Sequence, residues 1–489
     1  MSTKRIIEKM NFAQNYIEFL LGNRLERITW EKQQTLSPTT TVLQYLRGMD
    51  HYKGTKEGCA EGDCGACTVV IASVSGNGRL TYKAINSCLI FLPQLHGKQL
   101  ITVEHLAQPK ALHPVQKAMI ELDASQCGFC TPGFVMSMFA LYHTIQNPTD
   151  EDILEAFSGN LCRCTGYRSI IGAARKALST HATDRFQELE QETIQTLQSI
   201  ECNDSRFTNL HQTYYLPSNL ASALNLKFTF PDIEINAGSS DIALRVTKKK
   251  EVLTSLLDLS GVKELKYITK TSQGFDIGSG TDLQSLKEEL GEELPSLKKI
   301  LSVFGSKQIR QVATLGGNLG SASPIGDLIP LLMAYQAKLV LKSLIQERTV
   351  AATEFIKGYR QTALIPGEII TNIHIPNPDT TLIIDVEKIS KRTDLDISTV
   401  SVAMRLQLKT DRTIESIFLY YGGMAATVTF TKNTCTFLEG KKWEPETLKS
   451  AFEYLEKDVN PISDARAQAE GRMALAKNLL LKLWQNNPK

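Results

Sequence analysis

The order of apolar and polar positions divides the chain into stretches of different period. From about Tyr16 to Leu100, short β-rich runs dominate, Thr68–Val74 among them, and Gly76-Asn77-Gly78 supplies the turn chemistry of a β-hairpin. One short helix is predicted over Val42–Arg47. From His113 the apolar spacing becomes helical and predicts four helices: Val115–Leu122, Phe134–Ile145, Ile153–Phe157 and Ile170–Leu178. The polar, Gln/Glu-rich stretch Arg185–Asn203 is expected to be a solvated, partly helical linker. A further domain begins near Tyr215. It carries two glycine-bearing loops after strand-like runs, one within Ile233–Ile242 and one within Ala313–Pro324.

With 489 residues the chain exceeds one core, and domains of ~100–200 residues make three or four expected. It is 42% hydrophobic and 22% charged, with a mean hydropathy of −0.15, as in ordinary globular proteins. A net charge of +2 gives no field suited to nucleic acid or an anionic membrane. No apolar run reaches the ~18 residues of a membrane span. Met1–Met10 carries Lys4, Arg5 and Lys9, but no apolar segment of a secretion signal follows, so the cytoplasm is expected.

Eight of the ten cysteines fall into two quartets. The first is Cys59-x4-Cys64-x2-Cys67 with Cys88 further on, the spacing of plant-type [2Fe–2S] proteins. Its loop is rich in small residues, which let the backbone wrap closely and aim N–H groups at inorganic sulfide. The second is Cys127-x2-Cys130 with Cys162-x-Cys164, a spacing that alone fits several metals. Disulfides would need an oxidising compartment. Zinc accepts four thiolates, but its sites usually pair one C-x2-C with another. Thr131-Pro132 after Cys130, and Thr165-Gly166 after Cys164, predict capped helix N-termini whose positive ends face an anionic cluster. That context extends the iron–sulfur reading to the second quartet. Cys202 and Cys435 are expected to be ordinary thiols.

Backbone N–H groups of the two glycine loops suit a pyrophosphate. No G-x-G-x-x-G follows a strand, since Gly278-Ser279-Gly280 lacks the third glycine, so a Rossmann site is not expected. Clusters that move single electrons call for a partner that handles one and two, and flavin does both.

Several motifs resemble those of one family, the molybdenum hydroxylases or xanthine dehydrogenase family. Gly58–Thr68 is similar to its first-cluster loop, and Ser125–Gly133 and Gly159–Tyr167 to its second-cluster motifs. Phe304–Arg310 and Leu315–Asn318 through Asp327 resemble its flavin motif, and Pro461–Arg466 a motif of its flavoprotein C-terminal domain. The resemblance covers nearly the whole chain. It implies an α+β multidomain fold: a β-grasp ferredoxin-like domain (12–101), a four-helix [2Fe–2S] domain (102–184), a linker (185–212), an α+β FAD-binding domain of the PCMH type (213–384) and an α+β flavoprotein C-terminal domain (385–487).

What the resemblance implies about function follows the same residues. Cys127, Cys130, Cys162 and Cys164 would hold one [2Fe–2S] cluster, and Cys59, Cys64, Cys67 and Cys88 the other. FAD would meet Ile235, Asn236, Ala237, Gly238, Ser239, Ser240, Asp241 and Ile242 at its pyrophosphate. Thr314, Leu315, Gly316, Gly317, Asn318, Ser321 and Asp327 would complete the pocket, with Phe304, Ile370 and Lys388 as further contacts. Tyr359 would lie near the nicotinamide side, and no catalytic acid or base is implied here. The family's molybdopterin domain has no counterpart before Lys489, so the arrangement is similar to the small subunit of two-subunit bacterial enzymes. It implies a molybdopterin-binding partner chain in an (αβ)2 assembly, with Gln126 at the interface. Electrons would run from that centre through the second cluster, the first cluster and FAD to NAD+, with xanthine or hypoxanthine oxidised to urate.

Three departures from the family pattern stand out: Leu395 where animal enzymes have an acidic residue near the flavin, Gly320 for an aliphatic contact, and Asp63 for a glycine. The first two leave open the flavin's potential and the choice between NAD+ and O2. A sister expectation is the equivalent subunit of a molybdenum hydroxylase acting on an aldehyde, nicotinate or another heterocycle. An expectation of a different class is a non-enzymatic, zinc-stabilised scaffold, which would be colourless and free of flavin.

Overall fold

The computed structural model describes residue 12 and residues 14–30, 36–109, 111–179 and 182–488. The basic stretch Met1–Met10 lies outside the described residues. The chain forms an α+β multidomain fold that divides into two compact units, the residues up to Lys263 with Ser306–Ala313, and Glu264–Gly305 with Thr314–Lys489.

In the first unit, strands β1 (Tyr16–Leu21), β2 (Arg24–Thr29), β3 (Thr68–Val74), β4 (Leu80–Asn86) and β5 (Gln99–Ile101) form a mixed sheet in the order β2-β1-β5-β3-β4. β1 and β5 run parallel and the other pairs antiparallel. Helix α1 (Val42–Gly48) buries Val42, Leu43 and Leu46 in one core with Ile17, Phe19 and Val69. It starts where expected because Thr41 and Gln44 form a capping box: Thr41 Oγ1 accepts from Gln44 N at 3.2 Å and Gln44 Oε1 from Thr41 N at 3.0 Å. Replacing such a cap costs about 1 kcal/mol. The Gly-Asn-Gly stretch joins β3 to β4 as predicted, with Ser75 and Arg79 bonded across it.

Four helices follow: α2 (Pro114–Glu121), α3 (Thr131–Thr144), α4 (Asp150–Phe157) and α5 (Arg168–Leu178). α3 is buried along most of its length, with Phe134, Met138 and Phe139 inside the helical core. The expected threonine caps are not found. Cys130 itself is the N-cap of α3, Thr131 is already helical, and its hydroxyl bonds Ser125 Oγ at 2.7 Å. α5 starts from Tyr167 in a left-handed conformation (φ 68°), without a side-chain cap. Thr165 turns its hydroxyl instead to Cys162 Sγ, at 3.1 Å.

The Gln/Glu-rich stretch is not a solvated tether. It forms α6 (Arg185–Glu188) and α7 (Glu190–Ser199) and buries Phe186, Ile194, Leu197 and Ile200. Its start is pinned by Asp184, whose Oδ2 accepts from His113 Nε2 at 2.7 Å and His143 Nε2 at 2.9 Å. Asp184 Oδ1 caps α6 through Phe186 N and Gln187 N, both at 3.0 Å. Polar composition concealed an apolar face spaced at helical period. A small sheet completes the unit, in the order β6 (Ser205–Thr208), β7 (Thr213–Leu216), β9 (Ser255–Asp258), β8 (Glu234–Asn236), with β7 and β8 both parallel to β9.

The second unit holds a two-stranded sheet, which pairs Ile356–Gly358 with Gln361–Thr362, and two larger antiparallel sheets. One is ordered Ile268–Thr271, Gly274–Gly278, Ile369–Pro376, Lys338–Lys342, Glu347–Ala351. The other comprises Leu382–Ile389, Val400–Leu408, Ile414–Gly422 and Thr429–Phe430, and shares a core with the C-terminal helices through Val402, Leu419, Trp443, Leu479 and Leu483. The second glycine stretch was expected to be a loop after a strand. Leu315–Gly320 is instead a short helix, capped by Thr314 Oγ1 accepting from Gly317 N at 3.0 Å, and the helix Lys307–Arg310 precedes it. Its three glycines disfavour a helix by more than the threonine cap returns, and tertiary bonds from Leu315 N to Thr281 O at 3.1 Å and from Gly316 N to Ser279 O at 2.8 Å hold the turn in place. Among the described residues no helix is long and apolar enough to cross a membrane.

Candidate iron–sulfur and flavin sites

The β3–β4 hairpin builds half of the first quartet. Its register pairs Thr68 with Asn86, so Cys67 just before β3 meets Cys88 two residues beyond Asn86, with their sulfurs 3.4 Å apart. Ser87 fixes the approach by donating its hydroxyl to Cys67 O at 2.6 Å. Cys59 and Cys64 come from the loop before β3, which turns through positive φ at Ala60 (57°), Gly62 (86°) and Gly65 (69°). Such turns aim successive N–H groups inward. Glu61 N and Asp63 N donate to Cys59 Sγ at 3.4 and 3.3 Å. A hydrogen bond from Cys64, together with these two N–H groups, pulls the Cys59 thiol down to about 5 and leaves Cys64 far above its ordinary value. Cys67 and Cys88 are buried, while Cys59 and Cys64 are half-buried.

The second quartet is more open. Cys127 and Cys164 are exposed, with sulfurs 3.5 Å apart. Cys130 and Cys162 form the other pair. Burial, then the Cys162 thiolate, push the Cys130 thiol up to about 12. Tyr167 holds the C-x-C turn by accepting from Cys162 N at 2.9 Å. Gln126 and Phe129, neighbours of Cys127, are exposed.

Each quartet is thus two sulfur pairs, 59/64 with 67/88 and 127/164 with 130/162. Thiolates on one tetrahedral metal at ~2.3 Å stand about 3.8 Å apart. One sulfur separation in each quartet, 3.4 Å for Cys67 and Cys88 and 3.5 Å for Cys127 and Cys164, is close to that value, and four thiolates are the donor set a two-iron cluster needs.

The quartets are tied together by groups that sequence reasoning missed. Leu161 N, beside Cys162, donates to Cys64 O at 3.0 Å. Buried Asn160 donates Nδ2 to Gly65 O and Thr68 Oγ1, both at 3.2 Å, and accepts from Ser137 Oγ at 2.6 Å and Gln308 Nε2 at 3.2 Å. Gln308 also donates to Ala156 O at 2.8 Å. Only glycine fits around this hub. A Cβ on Gly65 would lie 2.1 Å from Gly159 O, and one on Gly133 2.1 Å from Gly65 O. A surface-like Asn or Gln in a single sequence carries no sign of such a role.

The first glycine-bearing loop leaves β8 at Asn236. Asn236 Nδ2 donates to Tyr214 OH at 3.2 Å, and its Oδ1 accepts from Ser239 Oγ at 2.9 Å. Ser239 also bonds Gln94 Oε1 at 2.6 Å and adopts φ 60°. Gly238 is required by close packing, because a Cβ there would stand 1.8 Å from Val312 O. Ile235, Ala237, Ser240, Asp241 and Ile242 lie along this same loop, and the buried Thr247 Oγ1 beyond it has no hydrogen-bond partner.

In the second unit, Gly316 packs against Ser279, where a Cβ would come within 2.6 Å of its side chain. Beside it, the buried Asn318 Oδ1 is unpartnered. Leu315 is buried, and Ser321 Oγ turns back to Asn318 O at 2.9 Å. The Lys388 side chain is buried, pairs with buried Asp327 at 2.9 Å and donates to Val303 O at 2.9 Å. Asp327 also accepts from Ser398. Ile370 lies 3.9 Å from where a Cβ on Gly320 would stand. Phe304 is only partly buried, Tyr359 is 62% exposed, and Leu395 takes a left-handed φ of 67°. Orphaned oxygens and glycine-only backbone approaches suit a polar cofactor such as FAD.

Family models match three segments: the [2Fe-2S] binding domain over residues 102–175, the FAD binding domain in molybdopterin dehydrogenase over 206–378, and the CO dehydrogenase flavoprotein C-terminal domain over 386–487. The chain is 34% identical over 484 residues to the xanthine dehydrogenase of Emericella nidulans, a match covering 87% of this chain and 35% of that protein. It is 32% identical over 528 residues to the xanthine dehydrogenase/oxidase of Gallus gallus, covering 92% of this chain and 39% of the other. The chain belongs to the xanthine dehydrogenase family of molybdenum hydroxylases. Within this family of oxidoreductases it corresponds to the electron-transfer and FAD-binding portion, and it spans little more than a third of the length of these curated relatives. The solved CO dehydrogenase from Oligotropha carboxidovorans is also similar, at 26% identity and a TM-score of 0.52, with 55% of this chain and 94% of that one covered.

Proposed function

We propose that this chain carries electrons away from a molybdopterin centre on a partner chain and delivers them to NAD+. The observation that carries the proposal is the pair of four-sulfur sites bridged by the Leu161 N–H to Cys64 C=O hydrogen bond. When bound, two [2Fe–2S] clusters supply one-electron steps, and FAD gathers the electrons for hydride delivery.

The chain's own residues divide that work. Cys127, Cys130, Cys162 and Cys164 hold the site that receives electrons, since Cys127 and Cys164 are the exposed ligands. Exposed Gln126 beside them meets the molybdopterin across the subunit interface. Cys59, Cys64, Cys67 and Cys88 hold the inner site, shielded from water by the core around Cys67 and Cys88. The Ile235–Ile242 loop binds the FAD pyrophosphate. Thr314–Asn318, Ser321, Asp327, Phe304, Ile370 and Lys388 are further FAD contacts, and exposed Tyr359 faces the nicotinamide. The assembly is an (αβ)2 cytoplasmic xanthine dehydrogenase oxidising xanthine or hypoxanthine to urate. Similarity to a CO dehydrogenase favours, as a second reading, the same role beside a molybdenum centre with another substrate.

Cys127→Ser or Cys162→Ser tests the division of labour. Purine-driven NAD+ reduction by the two-chain enzyme should fall at least about a hundredfold, while NADH-driven dye reduction at the flavin persists. Loss of NADH-driven activity together with bound FAD would refute the separation of cluster and flavin roles.

A further inference from the structure

The stretch that follows the flavin loop reaches the ligand loop of the inner cluster. Ile242 leads into the short helix Ala243–Thr247, and Lys248 directly after it places its ammonium 3.1 Å from the carbonyl oxygen of Cys59. The same ammonium lies 3.2 Å from a carboxylate oxygen of Glu61. Glu61 in turn donates its backbone N–H to Cys59 Sγ. The turn that carries Cys59 therefore bears one anion, Glu61, and is met from outside by one cation, Lys248. Both side chains are partly exposed, at 45% and 39%, so water and salt moderate but do not abolish their fields.

We propose that Lys248 and Glu61 are opposed tuning residues for the site formed by Cys59, Cys64, Cys67 and Cys88, with Lys248 holding its reduction potential up and Glu61 holding it down. The inference rests on the reading of that quartet as a [2Fe–2S] site. Uptake of one electron adds one negative charge without breaking or forming a covalent bond. A nearby cation favours the reduced form and a nearby carboxylate the oxidised form. The carbonyl of Cys59 passes the influence of Lys248 to the ligand, because an ammonium bonded to that oxygen draws electron density from the residue carrying the thiolate. The pair also explains why an acidic residue is tolerated in the loop, since its charge is balanced by a lysine from the segment after the flavin loop. In the electron path, Lys248 makes arrival at the inner site more favourable and departure less so.

The test is a dithionite redox titration of the intact protein, followed by electron paramagnetic resonance of both iron–sulfur signals. At a fixed potential, Lys248→Gln should lower the reduced-to-oxidised ratio of the inner site by about three- to tenfold, the scale of charges several ångströms apart at a half-exposed site. Glu61→Gln should raise that ratio by a comparable factor. The double variant should return towards the starting value, and Lys248→Arg, which keeps the charge, should stay close to it. These shifts should shrink in 1 M salt, where the Debye length is ~3 Å. The signal of the Cys127 quartet serves as the internal reference and should not move. Equal-signed shifts in the two single variants, or none in either, would overturn the tuning roles. Absence of any iron–sulfur signal from the unaltered protein would instead overturn the cluster reading beneath them.

Discussion

The two cysteine quartets each gather four thiols, but in opposite settings. The first is enclosed: Cys67 and Cys88 are buried among Val69, Ile85 and Leu89, on a hairpin whose register fixes their separation. The second is open: Cys127 and Cys164 are exposed, and its turns are held by Thr165 and Tyr167 rather than by a sheet. Burial shields a site from water and solutes, whereas exposure lets a partner approach its ligands. The contrast agrees with the proposed roles, in which the inner quartet relays electrons within the chain and the outer one receives them. One hydrogen-bonded hub at Asn160 joins the two, so each can be disturbed separately or both at once.

Disturbing both requires only one methyl group. Gly133→Ala drives a Cβ against Gly65 O, backbone against backbone, where no flexible side chain can yield. The cost should exceed the 1–3 kcal/mol of ordinary overpacking, and both clusters should be lost together, as iron analysis and thermal unfolding would show. Loss of only the outer cluster would mean the quartets are mechanically independent.

Single-ligand changes should separate the two settings. Cys88→Ser and Cys127→Ser should each halve the bound iron. The buried change should also lower the melting temperature by several degrees, since it leaves a core hydroxyl and loses a cross-link. The exposed one should leave it nearly unchanged. Equal effects on melting would erase the distinction between inner and outer sites.

A smaller effect is expected at the anchor behind the outer quartet's helices. Burial pushes the Asp184 carboxyl up, but hydrogen bonds from His113 and His143 outweigh it and hold the group well below its ordinary value. A carboxyl whose folded value is depressed adds stability that is complete above its unfolded value, near 3.9, and is withdrawn as pH falls below it. Acid melting of the native protein should therefore steepen below about pH 4. Asp184→Asn should cost about 2–3 kcal/mol at neutral pH and flatten that acid limb. An unchanged acid limb in the variant would place the acid sensitivity elsewhere.

Gln308→Ala should have the mildest consequence. It removes donors to Ser137, Ala156 and Asn160 and costs about 1–2 kcal/mol. Both clusters should remain, which iron analysis would confirm.

Much of this organisation was legible in the chain. Alternation and turn chemistry located the hairpin after Thr68, helical spacing located α2 to α5, and cysteine spacing singled out both quartets. What escaped depended on neighbours distant in sequence. The linker's apolar face hides in a polar composition until Phe186, Ile194 and Leu197 find a core. Thr131 and Thr165 have the chemistry of caps, yet Ser125 and Cys162 claim their hydroxyls. Lys388 looks like a surface charge until Asp327, sixty-one positions earlier, is brought against it. The roles of Asn160 and Gln308 exist only where three segments converge.

The most direct test is an absorption spectrum of the purified chain with quantitative iron, sulfide, flavin and zinc analysis. A red-brown protein with about four irons, about four labile sulfides and about one FAD per chain is expected, from two [2Fe–2S] sites and a flavin site. A colourless protein holding about two zincs and no flavin would contradict the electron-transfer role altogether.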